Sequence, residues 1–167
     1  MKITVFGGSG FLGSHVADRL SESNHQVTIF DKNKSKQIKK NQRFILGDIL
    51  DKIKVDKAVK GSKYVYIYAG IADLDEYFDK PFQTAEANIL GLINILDASI
   101  KYNVKRIIYA STVYVNSKEG GFYKCSKKAA EDFIKEYKKL FGLDYTILRY
   151  GSLYGPRADK NNGMLKI

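Results

Sequence analysis

A chain of 167 residues is of single-domain size and can bury roughly two thirds of the surface its unfolded form exposes, so a conventional core needs no staples. Its single cysteine, Cys125, excludes an intrachain disulfide and thiolate-rich metal centres and points to a reducing, cytoplasmic setting. The formal charge of +10 raises nucleic acid as a partner, but the lysines are spread over the whole length, with one denser run, KNKSKQIKK, and no reader motif; a basic surface that attracts anionic ligands is the expectation, not nucleic acid.

The elements alternate along the chain. KITVFG is a short apolar strand, and Gly10 to Ser21 then carries Phe11, Leu12, Val16 and Leu20 at helical spacing. HQVTIFDK and RFILGDI are further strands, and the lysine-rich connection between them has room only for a short helix. A helix over Asp51 to Lys60 precedes the strand YVYIYAG. The longest helical pattern follows, from about Phe82 to Tyr102, with Ala85, Ile89, Leu92, Ile93, Leu96 and Ile100 on one face and Asp79 and Pro81 as start signals. RIIYAST is a fifth strand, a helix runs from about Tyr123 to Phe141, and DYTILRY is a sixth strand. This order predicts an α/β fold, a Rossmann-type doubly wound parallel sheet with helices on both faces, as one domain over residues 1–167. The longest apolar run, YVYIYAGIA, is too short to span a bilayer, and MKITVFGGSG meets glycines before a secretory core can form, so no membrane association is expected.

In such sheets ligands bind beyond the carboxyl ends of the strands, where strand order reverses. The first strand enters GGSGFLG and then a helix, the context in which glycines let the backbone turn tightly and approach a pyrophosphate at a helix amino end. Gly7, Gly10, Phe11, Leu12 and Gly13 are therefore candidate cofactor contacts. The second strand ends in Asp31, 18 residues after Gly13, where an acid accepts hydrogen bonds from an adenine ribose. Its charge disfavours a 2′-phosphate, which favours NAD over NADP, although Lys32 and Lys34 lie beside it. Asp48 and Ile49 follow the third strand, within reach of the adenine edge; Ala69 and Gly70 follow the fourth, where small residues let backbone lie against the cofactor.

The fifth strand finishes at Ser111 and Thr112, and Tyr123 and Lys127 lie four apart on one face of the next helix. A hydroxyl, a phenol and an ammonium thus meet at the sheet edge. Tyrosine titrates near 10, so a neutral-pH base needs its phenolate stabilised by roughly 4 kcal/mol, and an adjacent ammonium and a cationic nicotinamide have the right sign.

Together GGSGFLG with Asp31, the GDI turn, AEANILGLINIL around Asn88, YAST, YKCSK and LRYGSLYGPR resemble the extended short-chain dehydrogenase/reductase family, in its NAD-dependent epimerase/dehydratase branch. The resemblance covers essentially the whole chain. It implies a nucleotide-activated sugar as substrate, Tyr123 as general base, Lys127 lowering its pKa and holding the nicotinamide ribose, and Thr112 orienting the substrate hydroxyl. It further implies Asn88 in the active-site network, Tyr150 beside the cofactor, a transient ketosugar, and a homodimer through the helices that start near Phe82 and Tyr123. Departures are Asn116 and Ser117 where relatives carry tyrosine and glycine, ten residues between Thr112 and Tyr123, and Ser152 in place of an asparagine. Relatives also continue beyond YGPR into a part that grips the substrate, so this is expected to be a piece of a longer chain or a short form completed by a partner. The competing reading is an NAD-binding module without turnover. His15, His25, Cys125 and the acidic run ADLDEYFD are assigned structural or surface roles.

Overall fold

A computed structural model describes residues 1–72 and 79–158. Its strands are β1 (Lys2–Phe6), β2 (Gln26–Asp31), β3 (Arg43–Leu46), β4 (Tyr64–Ile67), β5 (Arg106–Thr112) and β6 (Asp144–Tyr150). The helices are α1 (Phe11–Glu22), α2 (Lys52–Val59), α3 (Pro81–Ala85), α4 (Gly91–Lys101) and α5 (Gly121–Phe141). The strands form one parallel sheet in the order β3-β2-β1-β4-β5-β6, so the doubly wound expectation holds and strand order reverses between β1 and β4. Each central strand is apolar on both faces because helices cover both. Val5 and Ile29 pack under α1, while Phe6, Phe30 and Ile67 join Leu92, Ile95, Leu96, Ala130 and Ile134 on the opposite face. Each such side chain contributes roughly 1.5–3 kcal/mol on burial.

Local chemistry sets the helix ends. Asp51 caps α2 by accepting from the Lys54 amide at 3.1 Å. Pro81 opens α3 as expected, but the residue before the helix is Lys80, and Asp79 does not cap it. Gly142, with φ +74°, ends α5 in the left-handed conformation that glycine adopts without strain.

Three expectations are corrected. The connection from 32 to 42 holds no helix; Asp31 and Ser35 side chains accept from the Asn33 and Gln37 amides, and these local turns compete with helical bonding. The long helix is not continuous: a π-helical segment, Glu86–Leu90, separates α3 from α4 and rotates the buried stripe. Thr84, Asn88, Gly91, Leu92, Ile95 and Leu96 are buried, whereas Ala85, Ile89, Ile93 and Ile100 are only half-buried. On α1 the large residues are half-buried too, and the face pressed on the sheet is the small one, Gly13, Ser14, Ala17 and Ser21, because close approach admits nothing bigger. The acidic run lies, from Asp73 to Phe78, outside the described residues.

That approach is tightest at Gly13, where a Cβ would overlap the Gly7 carbonyl. Gly13→Ala is expected to cost about 3 kcal/mol of unfolding free energy in urea titration, while Gly151→Ala, whose Cβ meets nothing within 4 Å among the described residues, stays within about 0.5 kcal/mol.

Candidate functional site

The carboxyl ends of β1, β4 and β5 open onto two adjoining cavities of about 260 and 490 Å³, which share Gly7, Gly10 and Tyr68. Gly7 takes φ +76° and donates to the Phe30 carbonyl at 2.9 Å, joining the turn to β2. A Cβ at Gly7 would lie 2.5 Å from the Ala69 amide nitrogen, so only glycine lets this turn lie against the end of β4. The turn leads into α1, whose N-cap Gly10 supplies no side-chain hydrogen bond to its free amides. In the same turn Ser9 Oγ is buried without a hydrogen-bond partner among the described residues. A glycine turn whose backbone lies open to the cavities and an uncapped helix end fit a bound diphosphate, which accepts from their amides.

Asp31 lines the smaller cavity with Lys32. Its carboxylate accepts from the Ser9 and Asn33 amides, both at 3.0 Å, and so is held before any ligand arrives. Asp48 accepts from the Leu50 amide at 2.9 Å, and Ile49 is packed on Gly91 of α4. Ala69 and Gly70 complete that wall. Phe11, Leu12, Gly13, Thr112, Tyr123, Lys127 and Tyr150 line the larger cavity. Every candidate therefore lines one of the two cavities except Asn88. Its amide lies behind the wall, accepting from the Ile71 amide at 2.7 Å and donating to the Ile71 carbonyl at 3.0 Å and Ser126 Oγ at 2.9 Å. The π segment carries it there, and Gly70 makes room: a Cβ at Gly70 would sit 2.6 Å from Asn88 Oδ1.

Burial dominates the electrostatics of the chemical end. It pushes the Tyr123 phenol above its ordinary value, against a hydrogen bond with Thr112 that pulls it down. Lys127 is 6% exposed, donates to the Ala110 carbonyl at 2.8 Å, and lies 4.7 Å from the Tyr109 ring centre and 5.8 Å from that of Tyr123. Burial presses its ammonium down to about 8. Desolvation therefore outweighs the Thr112 hydrogen bond, and the Tyr123 phenol lies above its ordinary value.

A second buried charge braces the elements that carry these groups. Glu131, one turn after Lys127, accepts from Ser111 Oγ at 2.6 Å and from Arg149 through Nε at 3.0 Å and a terminal nitrogen at 2.7 Å. Burial raises its carboxyl, and the Arg149 and Ser111 hydrogen bonds more than reverse that. Ser111 adjoins Thr112 and Arg149 adjoins Tyr150, so one carboxylate ties β5, α5 and β6 together beneath the cavity.

Sequence reasoning passed over several lining residues. Tyr68 is half-buried at the junction of both cavities, its phenol pushed far up by burial and then by a hydrogen bond with Tyr150. The alternation in KYVYIY carried that signal. Gly151, Ser152 and Leu153 also line the larger cavity. Cys125 is exposed on α5. Among the described residues no group of three or more His, Cys, Asp or Glu side chains is placed to hold a metal ion, and no helix is long and apolar enough to cross a membrane.

Residues 3–167 match the family described as the NAD dependent epimerase/dehydratase family. A UDP-N-acetyl-alpha-D-glucosaminuronate decarboxylase of Bacillus cytotoxicus is 34% identical over 92% of this chain and 55% of its own length. The UDP-glucose 4-epimerase of Thermotoga maritima, solved with UDP-glucose, superposes with a TM-score of 0.89 at 31% identity, over 96% of this chain and 59% of that one. That of Thermus thermophilus, solved with NAD, superposes at 0.88 and 31% identity, over 98% and 59%. The chain thus spans between half and two thirds of these relatives' length.

The buried ammonium has a measurable cost. Lys127→Met is expected to stabilise the chain by about 2 kcal/mol at pH 7, after the lost bond to Ala110 is deducted. The wild-type penalty is complete below pH about 8 and disappears as pH rises towards 10.5, where the lysine is neutral folded and unfolded alike. The gain should shrink over that window in thermal melts recorded from pH 7 to 10.5.

Proposed function

The chain belongs to the NAD dependent epimerase/dehydratase family, and we propose that it binds NAD along the two cavities and acts on a nucleotide-activated sugar through a transient keto intermediate. The observation that carries this is the convergence of Thr112, Tyr123 and Lys127 with the Gly7–Gly13 turn on one cavity. Bound there, NAD supplies hydride transfer. Asp31 receives the adenine ribose hydroxyls, Asp48 and Ile49 flank the adenine, and Ala69 and Gly70 let backbone lie along the cofactor. Tyr123 removes the proton of a sugar hydroxyl that Thr112 orients, and loss of the hydride on the same carbon to bound NAD would leave a ketone there. Because desolvation favours the phenol, its ionisation depends on the Thr112 hydrogen bond, the Lys127 ammonium and the positive charge of the oxidised nicotinamide. Lys127 also binds the nicotinamide ribose with donors that Ala110 leaves free, and Tyr150 closes the cavity wall. Asn88 acts through Ile71 and Ser126 rather than by touching the cofactor.

A second reading, an NAD-binding module without turnover, is supported by the raised Tyr123 phenol. A homodimer through the helices near Phe82 and Tyr123 is also proposed. Phe122, Phe133 and Leu140 form an exposed apolar stripe on α5, and Phe82 and Leu90 are exposed beside α4. Sedimentation velocity should then give twice 18.9 kDa, and Phe133→Glu should give the single chain.

Calorimetric titration is expected to show saturable NAD binding, weaker binding of NADP, and a loss of about tenfold or more in NAD affinity for Asp31→Ala. Tyr123→Phe should retain NAD affinity within about twofold and lose at least about a hundredfold in turnover of a UDP-sugar panel. Turnover that survives Tyr123→Phe removes the base assignment, and no turnover in the wild type with intact NAD binding selects the module.

A further inference from the structure

The sheet ladder ends at Tyr150, and Gly151, Ser152 and Leu153 then run along the larger cavity. Pro156 and Arg157 each add a tie, and both ties go to α1. His15 Nε2 lies 2.8 Å from the Pro156 carbonyl. A carbonyl only accepts, so that nitrogen carries the hydrogen. The His15 ring also meets Phe11, a wall of the same cavity, edge-on at 5.8 Å between centres.

Arg157 donates to Asp18 Oδ2 at 2.9 Å, and the two side chains are 25% and 11% exposed. Asp18 in turn accepts from Gln42 Nε2 at 3.0 Å and pairs with Lys39 at 3.4 Å, so the anchor is braced by the β2–β3 connection. Burial pushes the Asp18 carboxyl up, and hydrogen bonds from Arg157 and Gln42 overcome it. Arg157 makes this contact at φ +71°, a conformation unfavourable for a residue with a Cβ, so the contact is holding the backbone against its own preference. The helix that receives both ties is the one whose amino end carries the glycine turn.

We propose that Arg157, assisted by His15, is a positioning residue that fastens the segment 151–156 to α1 and couples the order of this segment to occupation of the glycine turn. The coupling rests on the cofactor reading above; the fastening does not. Filling the turn steadies α1, and the ties pass that order to the wall that faces the substrate side of the cavity.

Hydrogen–deuterium exchange of the whole chain, with and without NAD, tests it. Without NAD, Arg157→Ala and Asp18→Asn should each speed exchange of the 151–155 amides about tenfold while β1, β4 and β5 stay protected. Arg157→Gly, which suits the positive φ, should behave like Arg157→Ala, showing that the side chain and not the backbone is responsible. With NAD, the wild type should gain protection in the glycine turn and in 151–155 together, and the Arg157 variants in the turn alone. Unchanged exchange of 151–155 in these variants without NAD overturns the fastening. Equal protection of the segment by NAD in wild type and variants overturns the coupling. If NAD protects nothing in the wild type, the cofactor reading and the coupling fall, and the comparison without NAD still decides the fastening.

Discussion

The site depends on a contact between two pieces of backbone. At Gly13 the first turn of α1 approaches so closely that a Cβ would overlap the Gly7 carbonyl, and at Gly7 the turn lies against the Ala69 amide at the end of β4. These approaches set how near α1 comes to the sheet and place its uncapped amino end over the point where strand order reverses. The small face of α1 follows from them, as does the half-burial of Phe11 and Leu12, which leaves both free to line a cavity. Asp31 is part of the same arrangement, since the Ser9 amide that it binds belongs to the turn.

The opposite end of the site is built from buried charge. Glu131 has both carboxylate oxygens satisfied by Ser111 and Arg149 and joins three elements, so its desolvation is compensated. Lys127, four residues earlier, has one carbonyl and an aromatic face for its ammonium and remains under-solvated. The contrast separates a structural charge from a charge left with unused donors. Tyr109 shares this region; its ring lies beneath the ammonium and its hydroxyl is buried without a partner among the described residues, so the polarity is retained at a cost in stability. Residues that lower stability in this way are expected where a ligand completes the interactions.

Between these ends the cavity wall is second-hand work. Asn88 never reaches the cavity; it holds the Ile71 loop and the start of α5, and a π segment is needed to aim it. Arg157 and His15 hold the far wall in the same indirect way. Positions that line neither cavity thus decide the shape of both.

The alternation of strands and helices, the glycine turn, Asp31 at the end of β2 and the Tyr123–Lys127 pair were legible because each rests on local physics: apolar period, glycine's freedom from a Cβ, or a spacing that one helix imposes. The π segment was not, because Ala85, Ile89 and Ile93 keep a helical period whether or not one turn holds an extra residue; the rotation is decided by Asn88 bonding Ile71 and by Gly91 against Ile49. Nor were the ties of Arg157 to Asp18 and of His15 to Pro156, which join residues 139 and 141 positions apart. The sequence by itself determined that a dinucleotide-type sheet would carry a hydroxyl, a phenol and an ammonium to one edge. Only the tertiary structure decided how deeply each is buried, and therefore that Tyr123 is raised and Lys127 lowered, since desolvation is a property of the assembled surroundings and not of any spacing.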